Sequence, residues 1–233
     1  MNKYLLPLFL SVSIFTLSSC YKSSDTTSVK STQTSDKSTP STDKSVQPGA
    51  SPAKKADFSG ALNDYNSKNY AKSAVGFQEV VKDDTENREA HYYLGKSLQN
   101  LKKDDDAIKA FKEAVKLKPD YAEANYELGN IYYQRKDYQT SLPFYEQAAK
   151  TDYGSTAIAS ALGDNYRMLR MPQYSIVQYQ KVVSYEPENA NAHYNLGLTY
   201  VELKNNIAAR TEYLTLLKLD KNLAKKLGAL IGE

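Results

Sequence analysis

A pattern that returns every 34 residues constrains this chain of 233 more than any other feature. Leu94-Gly95 comes back as Leu128-Gly129, Leu162-Gly163 and Leu196-Gly197, and an aromatic residue in the second half of each unit comes back as Phe77, Phe111, Tyr145, Tyr179 and Tyr213. A unit of fixed length that cannot bury its apolar face alone must stack on copies of itself, so the period dictates a solenoid whose core runs between neighbours. Counting units from residues 54, 88, 122, 156 and 190, position 8 is Ala61, Gly95, Gly129, Gly163 and Gly197, and position 20 is Ser73, Ala107, Ser141, Ser175 and Ala209. Both are small because the two helices of a unit cross there, and overpacking would cost about 1 to 3 kcal/mol. Positions 24 and 27, Phe77/Val80, Phe111/Ala114, Tyr145/Ala148, Tyr179/Val182 and Tyr213/Leu216, fill the space between consecutive units.

Apolar stripes of 3.6-residue period predict paired helices over 57–67 and 70–82, 88–101 and 104–117, 122–135 and 138–150, 156–169 and 172–185, and 190–203 and 206–219. Short polar turns join each pair, and Asp104, Asp137 and Pro172 suit helix starts. This pattern resembles the tetratricopeptide repeat family. The family's proline at position 32 is met by Pro119 and Pro187 only; Gly60-Ala61 replaces the Leu-Gly pair in the first unit, and Lys221 stands where the last proline would be. The resemblance implies an all-α fold, a right-handed α-solenoid of about five helix-turn-helix units over 57–221. A capping helix over 222–233 would close it, covering the last apolar face with Leu223, Leu227, Leu230 and Ile231.

Residues 1–19 hold one lysine and then an apolar run too short for a permanent span, and read as a secretory signal peptide. Leu17-Ser18-Ser19-Cys20 resembles the lipobox of bacterial lipoproteins, and Cys20 is the single cysteine. That resemblance implies that Cys20 becomes the mature N-terminus and carries several acyl chains, each buried CH₂ contributing about 0.8 kcal/mol to membrane affinity. Residues 20–56 are rich in Ser, Thr and Lys and repeat KSTQTSD as KSTPSTD from Lys37. Nothing there can fill a core, so the segment is expected to be a disordered tether with a reach of roughly 30 to 35 Å. The expected location is the cell envelope, at the outer membrane in a diderm bacterium, with the repeats in the periplasm or on the cell surface.

No catalytic constellation emerges. His91 and His193 share position 4 of their units, cannot converge on one site, and read as rings packed in the helix A interface. No Gly-rich phosphate loop or metal-ligand spacing is present, and Asp104-Asp105-Asp106 lacks the glycine turn and distant glutamate of an EF-hand. An enzyme, a cofactor and a metal are therefore not expected. Setting aside Lys3, and six lysines and four aspartates between Lys22 and Asp57, the repeats hold 23 basic and 23 acidic residues. With no net charge and no basic stripe read at the repeat spacing, a nucleic-acid partner is not expected.

In the family the concave surface is lined by helix A positions 2, 5, 9, 12 and 13. These positions give the candidate groove residues Tyr65, Tyr92, Lys96, Gln99, Asn100, Tyr126, Asn130, Tyr133, Gln134 and Tyr194. Aromatic faces beside amides that both donate and accept suit an extended peptide. The lysine and asparagine clamp with which chaperone-binding members hold C-terminal carboxylates is missing. Repeats 2 and 3 are expected to carry the main contact; in repeat 4 a serine, Ser160, replaces the ring, and Asp164 and Arg167 are expected to pair with each other. The expected function is a membrane-anchored scaffold for protein or peptide partners. The competing reading is a structural, self-associating surface lipoprotein, with a homo-oligomer built on the cap helix and the tyrosines.

Overall fold

The computed structural model describes residues 56–232, which lie in one compact unit; the leader, Cys20 and the tether as far as residue 55 lie outside the described residues. Five helix pairs follow one another: α1 (Phe58–Asn66) with α2 (Tyr70–Asp83), α3 (Arg88–Asn100) with α4 (Asp104–Leu117), α5 (Ala122–Gln134) with α6 (Tyr138–Thr151), α7 (Thr156–Met168) with α8 (Pro172–Tyr185), and α9 (Ala190–Glu202) with α10 (Asn206–Leu219). The capping helix α11 (Lys221–Ile231) ends the array. Every end of the ten paired helices falls within one residue of its expected bound, while α11 begins one residue before the expected 222 and ends two before the expected 233. Each helix packs on its chain neighbours, the first helices of successive pairs touch one another, and α11 rests on both α9 and α10. Below, the first helix of each pair is called helix A and the second helix B.

The turn inside each pair is built the same way. The last turn of helix A closes with a hydrogen bond that spans six residues: the amides of Asn69, Lys103, Asp137, Met171 and Asn205 donate to the carbonyls of Asp64, Leu98, Tyr132, Tyr166 and Tyr200 at 2.8 to 2.9 Å. That closure requires a left-handed residue just before the donor, a place usually given to glycine. Here it is Lys68, Lys102, Lys136, Arg170 and Lys204, with φ between 58° and 62°. Five cations therefore recur at the repeat spacing, one per turn, which corrects the expectation that no basic stripe does. Helical periodicity compares helix faces and net charge compares totals, and neither registers a row made of turns.

The small residues of position 8 do make the close approach. A Cβ on Gly95 or Gly129 would lie 2.6 Å from the ring of Phe111 or Tyr145, and one on Gly163 would lie 3.0 Å from the ring of Tyr179. Those three rings and Phe77 are at most 1% exposed. In the first unit the roles are exchanged: α1 carries Ala61 and α2 supplies the glycine, Gly76, that gives it room. The last unit departs from expectation. Tyr213 is only half-buried, and the cap-helix residue Leu227 takes the space against Gly197. On α11 the covered face is Ala224, Leu227 and Gly228, with Leu223 packed beside them and Ile231 half-buried; of the four expected residues Leu230 alone points to solvent, at 55% exposure.

Position 4 ties the units together. His91 Nε2 faces the Thr85 carbonyl at 3.1 Å, Asn125 donates to the Pro119 carbonyl at 3.0 Å, and His193 Nε2 faces the Pro187 carbonyl at 2.9 Å. The histidines thus hold a junction carbonyl as well as packing in the interface, and His193 Nδ1 also meets Glu212 at 2.6 Å. His193→Leu takes the ring partner from the largely buried Glu212 carboxylate and from the Pro187 carbonyl, and is expected to cost about 1 to 3 kcal/mol. His193→Asn, the residue type that holds the same carbonyl at Asn125, is expected to recover most of that loss. Chemical denaturation decides between the two roles: equal losses in both variants would mean that ring packing alone holds the junction.

Candidate functional site

The expected groove residues all lie on helices A, and the structure commits several of them to one another. Lys96 of α3 forms an ion pair with Glu127 of α5, across the boundary between the second and third units. Gln99 donates to the same carboxylate at 3.3 Å and Asn130 at 3.5 Å, while Asn130 Oδ1 accepts from the buried Tyr145 hydroxyl at 2.8 Å. Asn100 donates back to the Lys96 carbonyl at 2.8 Å. The amides expected to be free for a peptide are therefore largely engaged, with Gln134 remaining exposed. Glu127, at position 6 of its unit, organises this cluster and was not among the expected residues. Position 6 of one unit meets position 9 of the unit before it, and the same geometry brings Asn195 to Asp164 at 3.2 Å.

The rings sit half in the core. Tyr92 packs against Tyr93, Phe111 and Tyr121 at centroid distances of 5.2 to 5.9 Å, and Tyr126 and Tyr133 both lean on Tyr145. Tyr65 meets Tyr70 and Tyr93, and Tyr194 packs beside Leu216 and the cap helix. Burial pushes the phenols of Tyr65, Tyr92 and Tyr133 above the ordinary value, most for Tyr92, with the Glu127 carboxylate adding to the shift there. Burial likewise raises that of Tyr121 to about 12. Among the described residues, no hydrogen-bond partner meets the hydroxyls of Tyr92, Tyr126 and Tyr133.

At the fourth and fifth units the pairing differs from the expected one. Arg167 reaches forward to Glu202 of α9 at 3.2 Å instead of binding Asp164, because the next helix A presents a carboxylate alongside it. Asp164 accepts from the Tyr179 hydroxyl and from Asn195. Desolvation raises its pKa, opposed by the Tyr179 bond and the Arg167 charge. Arg167 Nε is buried without a partner among the described residues.

Outside this row, the structure shows a cleft of about 730 Å³ lined from α6, α7 and α8, among others by Tyr153, Tyr166, Val177, Lys181 and Tyr185. Tyr153 stands at the position that Pro119 and Pro187 fill in other units, is 70% exposed, and lies beneath the Lys181 ammonium at 3.4 Å. The missing proline was the sequence signal for it. The acidic triplet is spent locally, Asp105 on Arg135 and Asp106 on Lys109, and no cluster fit to hold a metal occurs among the described residues.

With this geometry in place, comparison with known proteins gives the class. A model described as TPR repeat matches residues 100–136 and 174–204, and one described as tetratricopeptide repeat matches 122–153 and 190–223. The chain is a tetratricopeptide-repeat protein. Among solved structures it is similar to MamA, at 23% identity over 71% of this chain and 96% of that one with a TM-score of 0.65. It is also similar to YrrB, described as a TPR protein with an unusual peptide-binding site, at 19% identity over 72% and 88% with a TM-score of 0.67. A third, the segment of MamA from residue 41 to its end from Desulfovibrio magneticus RS-1, gives 22%, 70%, 92% and 0.64. No curated protein matches the chain in sequence.

Proposed function

We propose that this chain is a lipid-anchored scaffold of the bacterial cell envelope that holds an extended stretch of a partner protein along its helix A row and performs no chemistry. The observation that carries this reading is the row's unused hydrogen-bonding capacity: the hydroxyls of Tyr92, Tyr126 and Tyr133 stand on half-buried rings and meet no partner among the described residues. Each hydroxyl both donates and accepts, so together they suit the carbonyls and amides of an extended backbone. The half-buried rings offer fixed apolar faces for its side chains and need little ordering on contact. Ion pairs that bridge consecutive repeats, Lys96–Glu127 and Arg167–Glu202, hold the spacing of these groups. The peptide-binding description of YrrB fits the same reading. The contact surface extends from Tyr65 in the first unit to Arg167 and Glu202, beyond the two central repeats.

The anchor half of the proposal rests on Cys20 within Leu17-Ser18-Ser19-Cys20 and on the Ser, Thr and Lys-rich segment after it. Acyl chains at Cys20 would hold the protein at the bilayer while the segment lets the repeats stand off by roughly 30 Å. Cys20→Ser is expected to move the protein from the membrane fraction to the soluble one with its helicity unchanged. A variant that stays with detergent-extractable membrane would show that something other than acyl chains holds it there.

A further inference from the structure

A repeat array needs a polar outer face where it ends, and the C-terminal end of this one is apolar instead. Positions 25 and 28 of a helix B look across to the helix B that follows: Gln78 and Val81 line a cleft with α4, and Glu146 and Ala149 line one with α8. In the last unit these positions are Leu214 and Leu217, and no helix B follows among the described residues. The cap helix covers another side of α10, where Leu216, Ala224 and Leu227 form a core. Position 18 lies on the same stripe as position 25, two helical turns earlier. It is Ala71, Asp105, Gln139 and Gln173 in the first four units and Ile207 in the last, while position 25 is Gln78, Lys112, Glu146 and Gln180 before it becomes Leu214. Ile207 is 85% exposed, and Leu214, Leu217 and Leu230 are exposed with it. Ile207 and Arg210 share a shallow hollow with Ile231, so the stripe continues onto the end of α11.

The charge of this end has one sign. The helices α10 and α11 carry five cations, Arg210, Lys218, Lys221, Lys225 and Lys226, against one carboxylate, Glu212. Asp220 stands between the two helices, and Glu202 ends α9, which packs against both. All three carboxylates have local partners: Glu212 meets His193, Glu202 pairs with Arg167, and Asp220 caps α11 by accepting from the amides of Asn222 and Leu223. Glu233 lies outside the described residues. Lys218, Lys221, Lys225 and Lys226 are exposed and take part in no ion pair among the described residues. A second copy docked by the same face would bring both sets of cations together, which disfavours self-association there. Long lysine stems around protruding aliphatic side chains fit a surface that is anionic at its boundary, apolar just beneath it and free to deform. An anionic bilayer has all three properties.

We propose that this end of the array, α10 with α11, rests on the headgroups of anionic phospholipids, the lysines meeting phosphates while Ile207, Leu214 and Leu230 enter the boundary of the acyl region. By itself the contact is peripheral, reversible and salt-sensitive, so a chain without acyl chains still leaves the membrane fraction on dilution. Its role in the cell rests on the anchor proposed above. With acyl chains at Cys20 ahead of the first unit and the cap behind the last, both ends of the array are held, and the array lies along the bilayer. The segment between Cys20 and the repeats, with a reach of roughly 30 to 35 Å, gives it room to tilt into that position. Attachment at Cys20 also raises the effective concentration of lipid at the cap, which makes a weak contact sufficient.

The test uses the full chain with Cys20→Ser, so that failure here leaves the acyl anchor standing and failure of that anchor leaves this result standing. The probes are vesicles of phosphatidylcholine alone and of phosphatidylcholine with about one third phosphatidylglycerol. In cosedimentation near 0.1 M salt the protein is expected to bind the anionic vesicles at least about tenfold more tightly than the neutral ones. Combining Lys218→Gln, Lys221→Gln, Lys225→Gln and Lys226→Gln should remove that preference. Combining Ile207→Gln, Leu214→Gln and Leu230→Gln should weaken binding about tenfold with helicity unchanged. The chain has no tryptophan, so Leu230→Trp supplies a single reporter whose emission should shift to the blue on anionic vesicles. Val75→Trp, at an exposed position of the first unit, should show no shift. Binding that is absent, or equal for both vesicles, would overturn the proposal. So would binding that survives both combined variants, which would assign it to the lysines of the tether or of the turns. A parent that ignores vesicles but doubles its mass in sedimentation, with the doubling lost in the Ile207, Leu214 and Leu230 variant, would give this end to a second copy and equally overturn it. Should a combined variant not fold, the two tryptophan reporters decide.

Discussion

Gly129→Leu is expected to destabilise the repeats by about 3 kcal/mol or more, at the upper end of what overpacking costs. Even the first added atom would stand 2.6 Å from the Tyr145 ring, which is 1% exposed and tied by its hydroxyl to Asn130. Helix propensity acts in the opposite direction, since leucine is better than glycine inside a helix by about 0.8 kcal/mol. The clash outweighs that gain, so a loss of stability identifies close packing as the reason for glycine. The effect should grade with geometry: Gly95→Ala and Gly129→Ala cost more than Gly163→Ala, where the ring of Tyr179 is 3.0 Å away. Gly197→Ala should be mildest, because what it meets is the end of the Leu227 side chain. Adding Tyr145→Val to Gly129→Leu should recover part of the loss, and a double-mutant cycle by urea unfolding measures that coupling. A Gly129→Leu protein as stable as its parent would mean that the rings have room to move.

Replacing all five left-handed cations by glycine should act in the other direction. A left-handed non-glycine residue costs about 1 to 2 kcal/mol, offset in part by the larger entropy that glycine loses on folding and by the favourable charge at the helix end, leaving a gain of about 0.5 to 1 kcal/mol per site. The five sites sit in different repeats and share no side-chain partner, so the gains should add to roughly 2.5 to 5 kcal/mol. Thermal and urea unfolding of the single variant Lys102→Gly and of the fivefold variant measure it. A fivefold variant less stable than its parent would show that the cations contribute more to the fold than their backbone conformation costs.

Most of the architecture was legible because it depends on period. A 34-residue recurrence with small residues at positions 8 and 20 leaves little freedom in how helices pair, and the ten paired helices stand where that logic puts them. Legibility ended where the period is broken or where side chains choose among partners. Tyr213 and Leu227 exchange roles because the last unit has no successor, only a cap. Arg167 lies one helical turn from Asp164 in sequence, yet Glu202 of the next unit stands closer to its guanidinium. Glu127 stayed unrecognised because position 6 faces the neighbouring unit, and no reading confined to one helix shows what waits there. The basic turns were visible as letters, but their common left-handed conformation belongs to the helix-closing hydrogen bonds rather than to any residue preference.

The most direct measurement of the scaffold reading is site-specific photocrosslinking in intact envelopes. A photoreactive residue would be placed in turn at Gln134 and Asn100 on the helix A row, and at the exposed helix B positions Lys109 and Lys116. The expected result is a discrete adduct with the same partner from both helix A positions, lost when Tyr126→Ala and Tyr133→Ala are combined in a protein that retains its helicity, and absent from the helix B positions. Adducts of equal yield from both faces, or none from the helix A row, would contradict a partner held along that row.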